Sequence, residues 1–245
     1  MSNEIATELK CWLLTPSFEG CGYTGLTGNF DGQGWSWGLL SWAAGQGTLQ
    51  PLIKAMHDAG PETFQRCCTV GVAGRGVVDL SPDLLAWCEM PTDEGVLWAA
   101  GRCYPSGNKE PLPHWVAVFK NLGEIPGFQA IQRQHGASYM ASAHRMAGIL
   151  GFKTERGLAL CFDIAVQDGS IKPAALAAYQ KTDAESPEEG RLIALANAVA
   201  DAADQEFRED VRARKITIAR GTGIVHGRTY DLAEWPGITL GPIVA

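Results

Sequence analysis

The chain has 245 residues, 46% of them hydrophobic, and carries a formal net charge of −7. This composition provides a sizeable core and excludes a disordered chain, and the lack of any basic run argues against a nucleic-acid partner. No stretch approaches the roughly 20 apolar residues that cross a bilayer. The first residues lack the basic start and apolar run of a signal peptide, so we expect synthesis in the cytoplasm without an export signal.

The amino-terminal third predicts a helix, a glycine-rich segment and a second helix. Ile5, Leu9 and Trp12 recur at helical spacing, which predicts a helix over 5–15 that ends near Pro16. Glycines then punctuate residues 20–47, a pattern typical of loops around a short β-hairpin. Apolar residues return in helical rhythm over 39–56.

The rest of the chain is strongly helical after an ambiguous stretch over 60–115. The spacing predicts helices over 115–122, 128–134, 138–150 and 155–167, then a long helix over 187–213. The tail, with its GTGIVHG and EWPGITLGP runs, is expected to be irregular. Because no repeat or linker divides the sequence, we predict one catalytic domain over 1–245, of mainly α, α+β class.

Residues 16–42 hold the arrangement that indicates chemistry. Glu19 follows the first helix beside Phe18, where partial desolvation would raise its pKa, whereas Asp31 in an open, polar loop should stay ionised. Hydrolysis of a glycosidic bond needs such a pair, one carboxyl to protonate the leaving oxygen and one to activate water. The Ser36 hydroxyl would help Asp31 to hold that water.

The same residues resemble a known superfamily. Glu19-Gly20, then Asp31 in a hairpin, then Ser36 with Gly38 two residues later, is similar to the pattern of phage-type lysozymes. Asp31-Gly32-Gln33-Gly34-Trp35-Ser36 also resembles the Asp-x-x-Gly-x-Thr motif of chitosanases, with Ser36 in place of Thr. The resemblance implies a lysozyme-like fold with two lobes around a cleft, with Glu19 as acid, Asp31 as base and Ser36 positioning water. An inverting mechanism follows from the same resemblance.

Several further residues are candidates for substrate contact. Trp35, Trp37 and Trp42 surround the motif and offer apolar faces on which sugar rings stack. On a strand, Trp35 and Trp37 would share one face and Ser36 would lie on the opposite face. We expect one of these faces to pack on the core and the other to line the cleft. The polar candidates for hydrogen bonds to sugar hydroxyls are Tyr23 and Gln33. Residues 155–170 resemble a chitosanase helix, which would place Asp163 along the cleft; the alternative, which we favour, is a paired structural acid.

Cysteine and histidine chemistry offers a weaker alternative. The seven cysteines have no CxxC spacing, and we expect most of them to be reduced and partly buried. The histidines show no ligand spacing, so we expect no metal or other cofactor. A Cys–His hydrolase using Cys21, which lies close to Glu19, remains an alternative, and His226 is interpreted as structural.

These observations predict a glycoside hydrolase that cleaves β-1,4 bonds of peptidoglycan, a muramidase. The first alternative is a chitosanase, which the acidic charge and the Asp31–Ser36 run favour. The second is an inactive wall-binding or structural virion module. A wall hydrolase without an export signal would need release or delivery, as a phage endolysin or an antibacterial effector, and an immunity protein is a candidate partner.

Overall fold

The computed structural model describes residues 6–18, 20, 22–104 and 109–244. The chain forms two compact units. The terminal unit comprises Met1–Gly20 and Ala137–Ala245, and the central unit comprises Cys21–Gly136. In the described part of the chain, no helix has the length and apolar character that crossing a membrane requires.

The central unit begins with a small antiparallel sheet, β1 (Leu26–Thr27), β2 (Ser36–Trp37) and β3 (Trp42–Ala43), with β2 in the middle. The elements that follow are α2 (Leu49–Ala59), α3 (Pro61–Cys68), β4 (Thr69–Val72), β5 (Gly76–Asp79), α4 (Ser81–Cys88), α5 (Thr92–Ala100), α6 (Pro113–Glu124) and α7 (Pro126–His135). Strands β4 and β5 pair as a separate antiparallel hairpin. The glycine-rich segment therefore holds the expected hairpin, extended by a third strand.

An aromatic cluster forms the core of the central unit. The ring of Trp35 lies 5.1 to 6.0 Å from four other rings, those of Trp87, Trp98, Trp115 and Phe119. Tilted and edge-on contacts of this kind add to the large apolar area that each ring buries. Because Trp35 immediately precedes β2, the cluster anchors the small sheet to helices α4, α5 and α6.

The terminal unit is built around a buried helix. It contains α1 (Thr7–Phe18), α8 (Ala137–Leu150), α9 (Glu155–Gln167), α10 (Pro173–Tyr179), α11 (Glu188–Asp201), α12 (Arg208–Arg220) and a hairpin of β6 (Thr222–Val225) and β7 (Arg228–Asp231). Helix α9 is buried along most of its length and packs against α1, α8, α11 and α12. Thr154 caps it, its hydroxyl accepting a hydrogen bond from the Gly157 N–H at 3.1 Å.

Three expectations for local structure are wrong, each for a physical reason. Helix α1 continues past Pro16 to Phe18, because a proline in the last turn removes a single backbone hydrogen bond. The helix expected over 187–213 is two helices, α11 and α12, which bury their apolar faces against each other. In the tail, which was expected to be irregular, the GTGIVHG run lies in the β6–β7 hairpin because its strands pair with each other, whereas the EWPGITLGP run lies outside the helices and strands, as expected.

Candidate active site

Asp31 and Ser36 lie in one hairpin of the central unit. Asp31 is exposed in the connection between β1 and β2, and the half-buried Ser36 is the first residue of β2. Ser36 pairs with Thr27 of β1 on one side and with Ala43 of β3 on the other. The structure therefore places the candidate base on an open loop and the candidate water-positioning hydroxyl at the strand where that loop ends.

Backbone contacts fix the shape of the Asp31 loop. The Gln33 N–H donates to Asp31 Oδ1 at 3.0 Å, and the Gly34 N–H donates to Asn29 Oδ1 at 3.0 Å. The Asn29 N–H donates to the Lys109 carbonyl at 2.9 Å, which ties the loop to a second segment of the unit. The Asp31 carboxylate is thus oriented by its own turn.

Gly28 allows the close approach between this loop and Lys109. A Cβ at Gly28 would lie 1.8 Å from the Lys109 carbonyl oxygen, a backbone atom that no side-chain rotation can move. We expect Gly28→Ala to lower the free energy of unfolding by about 1–3 kcal/mol, the usual penalty for overpacking. Denaturant unfolding measures the change. Gly22→Ala is the matched control, because nothing lies within 4 Å of a Cβ there, and an equal loss in both variants would contradict the steric argument.

Tyr23 and Gln33 are the candidate polar contacts, and both are half-buried in the central unit. The Tyr23 hydroxyl accepts a hydrogen bond from Arg133 Nη1 at 2.7 Å, and its carbonyl accepts one from Gln132 Nε2 at 3.0 Å. The Gln33 carbonyl accepts from the Gly45 N–H at 2.9 Å. Both residues are therefore held in place by described neighbours, and their contact with a substrate stays a prediction.

The interpretation of Trp35 as a substrate contact is corrected by its burial. Trp35 and Trp37 are both 0% exposed, and Trp42 is 5% exposed, so all three belong to the core of the central unit. A side chain without accessible surface offers no face to a sugar ring. The predicted alternation itself is confirmed, since the tryptophans on either side of Ser36 are buried while Ser36 is half-exposed.

Glu19 lies outside the described residues, but the helix that precedes it is described. The ring of Phe18 is buried, 4.9 Å from the ring of Tyr230, and the guanidinium carbon of Arg214 lies 5.3 Å from the Phe18 ring. Tyr230 Oη donates to the Ser17 carbonyl at 3.0 Å. The end of α1, next to the candidate acid in sequence, is therefore packed against β7 and α12. Cys21 also lies outside the described residues.

Asp163 is a buried structural acid and does not line a substrate surface. It is 0% exposed on α9, with Oδ1 2.8 Å from Arg214 Nη2 and Oδ2 2.6 Å from Lys215 Nζ. Burial raises the pKa of Asp163, but the two positive charges outweigh it and bring the pKa down to about 2. The prediction that Asp163 contacts substrate is wrong, and the favoured alternative of a paired acid is confirmed.

Sequence reasoning interpreted His226 as structural but did not place it beside the end of α1, where the structure has it. Its Nδ1 is 2.7 Å from the Phe18 carbonyl oxygen, and its Nε2 is hydrogen-bonded to Asp210. The signal in the sequence was Gly227, which follows the apolar pair Ile224-Val225 and supplies the positive φ that a two-residue hairpin turn requires. The six described cysteines are all free and buried, as expected.

Comparison with known proteins gives matches at the level of structure. No family model and no curated protein sequence matches the chain. A GH46 chitosanase of Gynuella sunshinyii, solved with chitotetraose, matches with a TM-score of 0.56 and 12% identity over 94% of this chain and 98% of that one. A mutant chitosanase of Bacillus subtilis, complexed with 6 GlcN, matches with a TM-score of 0.55 and 16% identity over 88% of this chain and 86% of that one.

These matches define the fold. The chain has the mainly α, lysozyme-like fold of the GH46 chitosanases, with a small glycine-rich sheet near its amino terminus. A third chitosanase structure supports the same conclusion, with a TM-score of 0.56 and 20% identity over 90% of this chain. The resemblance inferred from the Glu19–Ser36 segment is therefore confirmed at the level of fold.

Proposed function

We propose that this chain is a glycoside hydrolase that cleaves β-1,4 bonds in an amino-sugar polymer, with chitosan as the first candidate substrate. The observation that carries the proposal is the exposed Asp31 on a glycine-rich loop that ends at Ser36, in a chain with the fold of chitosanases. Two similar structures are complexes, one with chitotetraose and one with GlcN. The net charge of −7 also suits a polymer whose free amines are protonated in acid.

The three site residues would divide the reaction. Glu19 protonates the oxygen of the leaving sugar, and Asp31 accepts a proton from the water that attacks the anomeric carbon. The Ser36 hydroxyl holds that water by hydrogen bonds. Water adds to the anomeric carbon as the glycosidic C–O bond breaks, so the products are two shorter chains. A direct attack of this kind inverts the configuration at the anomeric carbon.

Peptidoglycan is the second candidate substrate. The observation that favours it is Glu19-Gly20, which resembles the lysozyme pattern at a position where chitosanases usually have a polar residue. A muramidase would use the same acid and base on a wall polymer that alternates two amino sugars. A delivery route to the wall and an immunity partner belong to this second candidate alone.

Incubation of the purified chain with chitosan and, separately, with peptidoglycan tests the proposal. We expect new reducing ends from chitosan, and the anomer formed first, followed by NMR, to be the inverted one. Release from peptidoglycan alone would select the second candidate. If neither polymer is cut over a wide range of pH, the hydrolase assignment is wrong and a binding or structural module takes its place.

A further inference from the structure

The β6–β7 hairpin holds the carboxyl end of α1. The last carbonyls of a helix have no partner within the helix and must find donors elsewhere. Here Tyr230 Oη donates to the Ser17 carbonyl at 3.0 Å, and His226 Nδ1 lies 2.7 Å from the Phe18 carbonyl oxygen. Two side chains of one hairpin thus bind two successive carbonyls, the second of which immediately precedes Glu19 in the chain.

The partners of His226 determine its charge. Nδ1 faces a backbone carbonyl and Nε2 faces the Asp210 carboxylate, and both of these groups accept hydrogen bonds. In the imidazolium form, both ring nitrogens carry a proton and each can donate to one of these acceptors. A cation at this position also interacts favourably with the negative end of the α1 dipole.

The backbone at His226 is unusual for such a side chain. His226 has φ of 48° and Gly227 has φ of 77°, and Val225 pairs with Arg228, so the two residues form a hairpin turn with both φ values positive. Asn-Gly is the preferred sequence for that turn. Histidine is among the residues other than glycine that occupy this region more often, and at this turn position its ring lies against Asp210 and the Phe18 carbonyl.

From this geometry we infer that His226 is a positioning residue: as a cation bonded to both Asp210 and the Phe18 carbonyl, it fixes the backbone that leads to the candidate acid Glu19. The effect on catalysis rests on the proposed function. Small displacements of a catalytic group reduce rates strongly. The hydrogen bond from His226 to the Phe18 carbonyl should therefore contribute to kcat more than to substrate binding.

The surroundings of His226 favour its charged form. The hydrogen bond to the Phe18 carbonyl raises the pKa of His226, Asp210 raises it further, and the nearby Arg214 opposes them. Both charged groups lie on α12, and α9 contributes Gln167, whose amide donates to Asp210 Oδ2 at 3.4 Å. The pKa of His226 is raised in the folded chain. The contribution of the protonated ring is therefore fully present below the ordinary histidine pKa and is lost as the pH rises through the folded pKa.

His226→Asn tests the inference, because asparagine suits the turn but lacks the ring. We expect kcat on chitosan to fall about tenfold at acidic pH with little change in KM. The ratio of wild-type to variant kcat should decline towards one as the pH rises through the His226 titration. His144→Asn is the matched control, since His144 Nε2 pairs with Glu8 at 2.7 Å near the other end of α1, and this variant should keep the wild-type profile.

NMR of the imidazole rings separates this inference from the proposed function. We expect both nitrogens of His226 to be protonated in mildly acidic solution, and the amide signals of Phe18 and Gly20 to follow its titration in the wild type but not in His226→Asn. A neutral His226 ring there, or a kcat ratio that is constant with pH, overturns the inference. A wild type that cleaves neither polymer overturns the proposed function instead. In that case the NMR titration still decides whether the protonated His226 holds the Phe18 carbonyl at the end of α1.

Discussion

Replacement of Glu19 by glutamine should lower kcat on chitosan by about 10²–10⁴-fold, the usual contribution of a general acid. Glutamine keeps the size and hydrogen-bonding reach of the side chain but has no proton to give to the leaving oxygen. The binding of substrate uses the rest of the site, so KM should change little. Initial rates of reducing-end release at several chitosan concentrations measure both constants.

A substrate with a better leaving group identifies the role of Glu19. A chito-oligosaccharide ending in nitrophenol needs little protonation, so Glu19→Gln should lose far less activity on it than on chitosan. Asp31→Asn removes the base and should lose activity on both substrates alike. Glu234→Gln, an exposed change in the terminal unit, should match the wild type. Full activity of Glu19→Gln on chitosan would show that Glu19 is not the acid.

The helices were predictable where apolar residues recur over several turns. The elements α6, α7, α8 and α9 lie where periodicity placed them, because each buries one face in its own unit. The β6–β7 hairpin was not predicted, since its strands have four residues each and its turn begins with a histidine. Short strands carry little periodic signal, and their pairing depends on contacts that are distant in sequence.

The local structure at Asp31 and Ser36 was predictable from the sequence, and the burial of the neighbouring tryptophans was not. The glycine-rich pattern placed Asp31 on a loop and Ser36 on a strand, as the structure shows. Alternation predicted that Trp35 and Trp37 share a face, but periodicity alone cannot tell which face of a strand meets the core. The aromatic cluster that buries Trp35 comes from α4, α5 and α6, and the sequence gives no measure of those contacts.

Asp163→Asn should destabilise the chain by about 3–5 kcal/mol, because it removes the negative charge that pairs with two buried cations. The side chains of Arg214 and Lys215 are 1% and 0% exposed, and Asp168, at 3.0 Å from Lys215 Nζ, stays as a partner of Lys215 in the variant. Thermal and denaturant unfolding measure the loss. Since Arg214 also packs on Phe18, we expect the variant to loosen the end of α1 before global unfolding.

The pH dependence of this loss follows from the lowered pKa of Asp163. A carboxyl group with a folded pKa of about 2 stabilises the fold above its ordinary pKa and loses that contribution as the pH falls through the folded value. The difference in stability between wild type and Asp163→Asn should therefore be largest near neutral pH and should shrink in strong acid.

Asp201→Asn is the matched control for this prediction. Asp201 pairs with Arg212 at 2.7 Å, much as Asp163 pairs with Arg214 at 2.8 Å, but the Asp201 side chain is 67% exposed. An exposed pair contributes at most about 1 kcal/mol, because water screens the charges and solvates the arginine that remains. Equal losses in the two variants would mean that burial does not set the strength of the Asp163 pair. The ion pairs between Asp163 on α9 and the two cations on α12 would then not be a main source of stability.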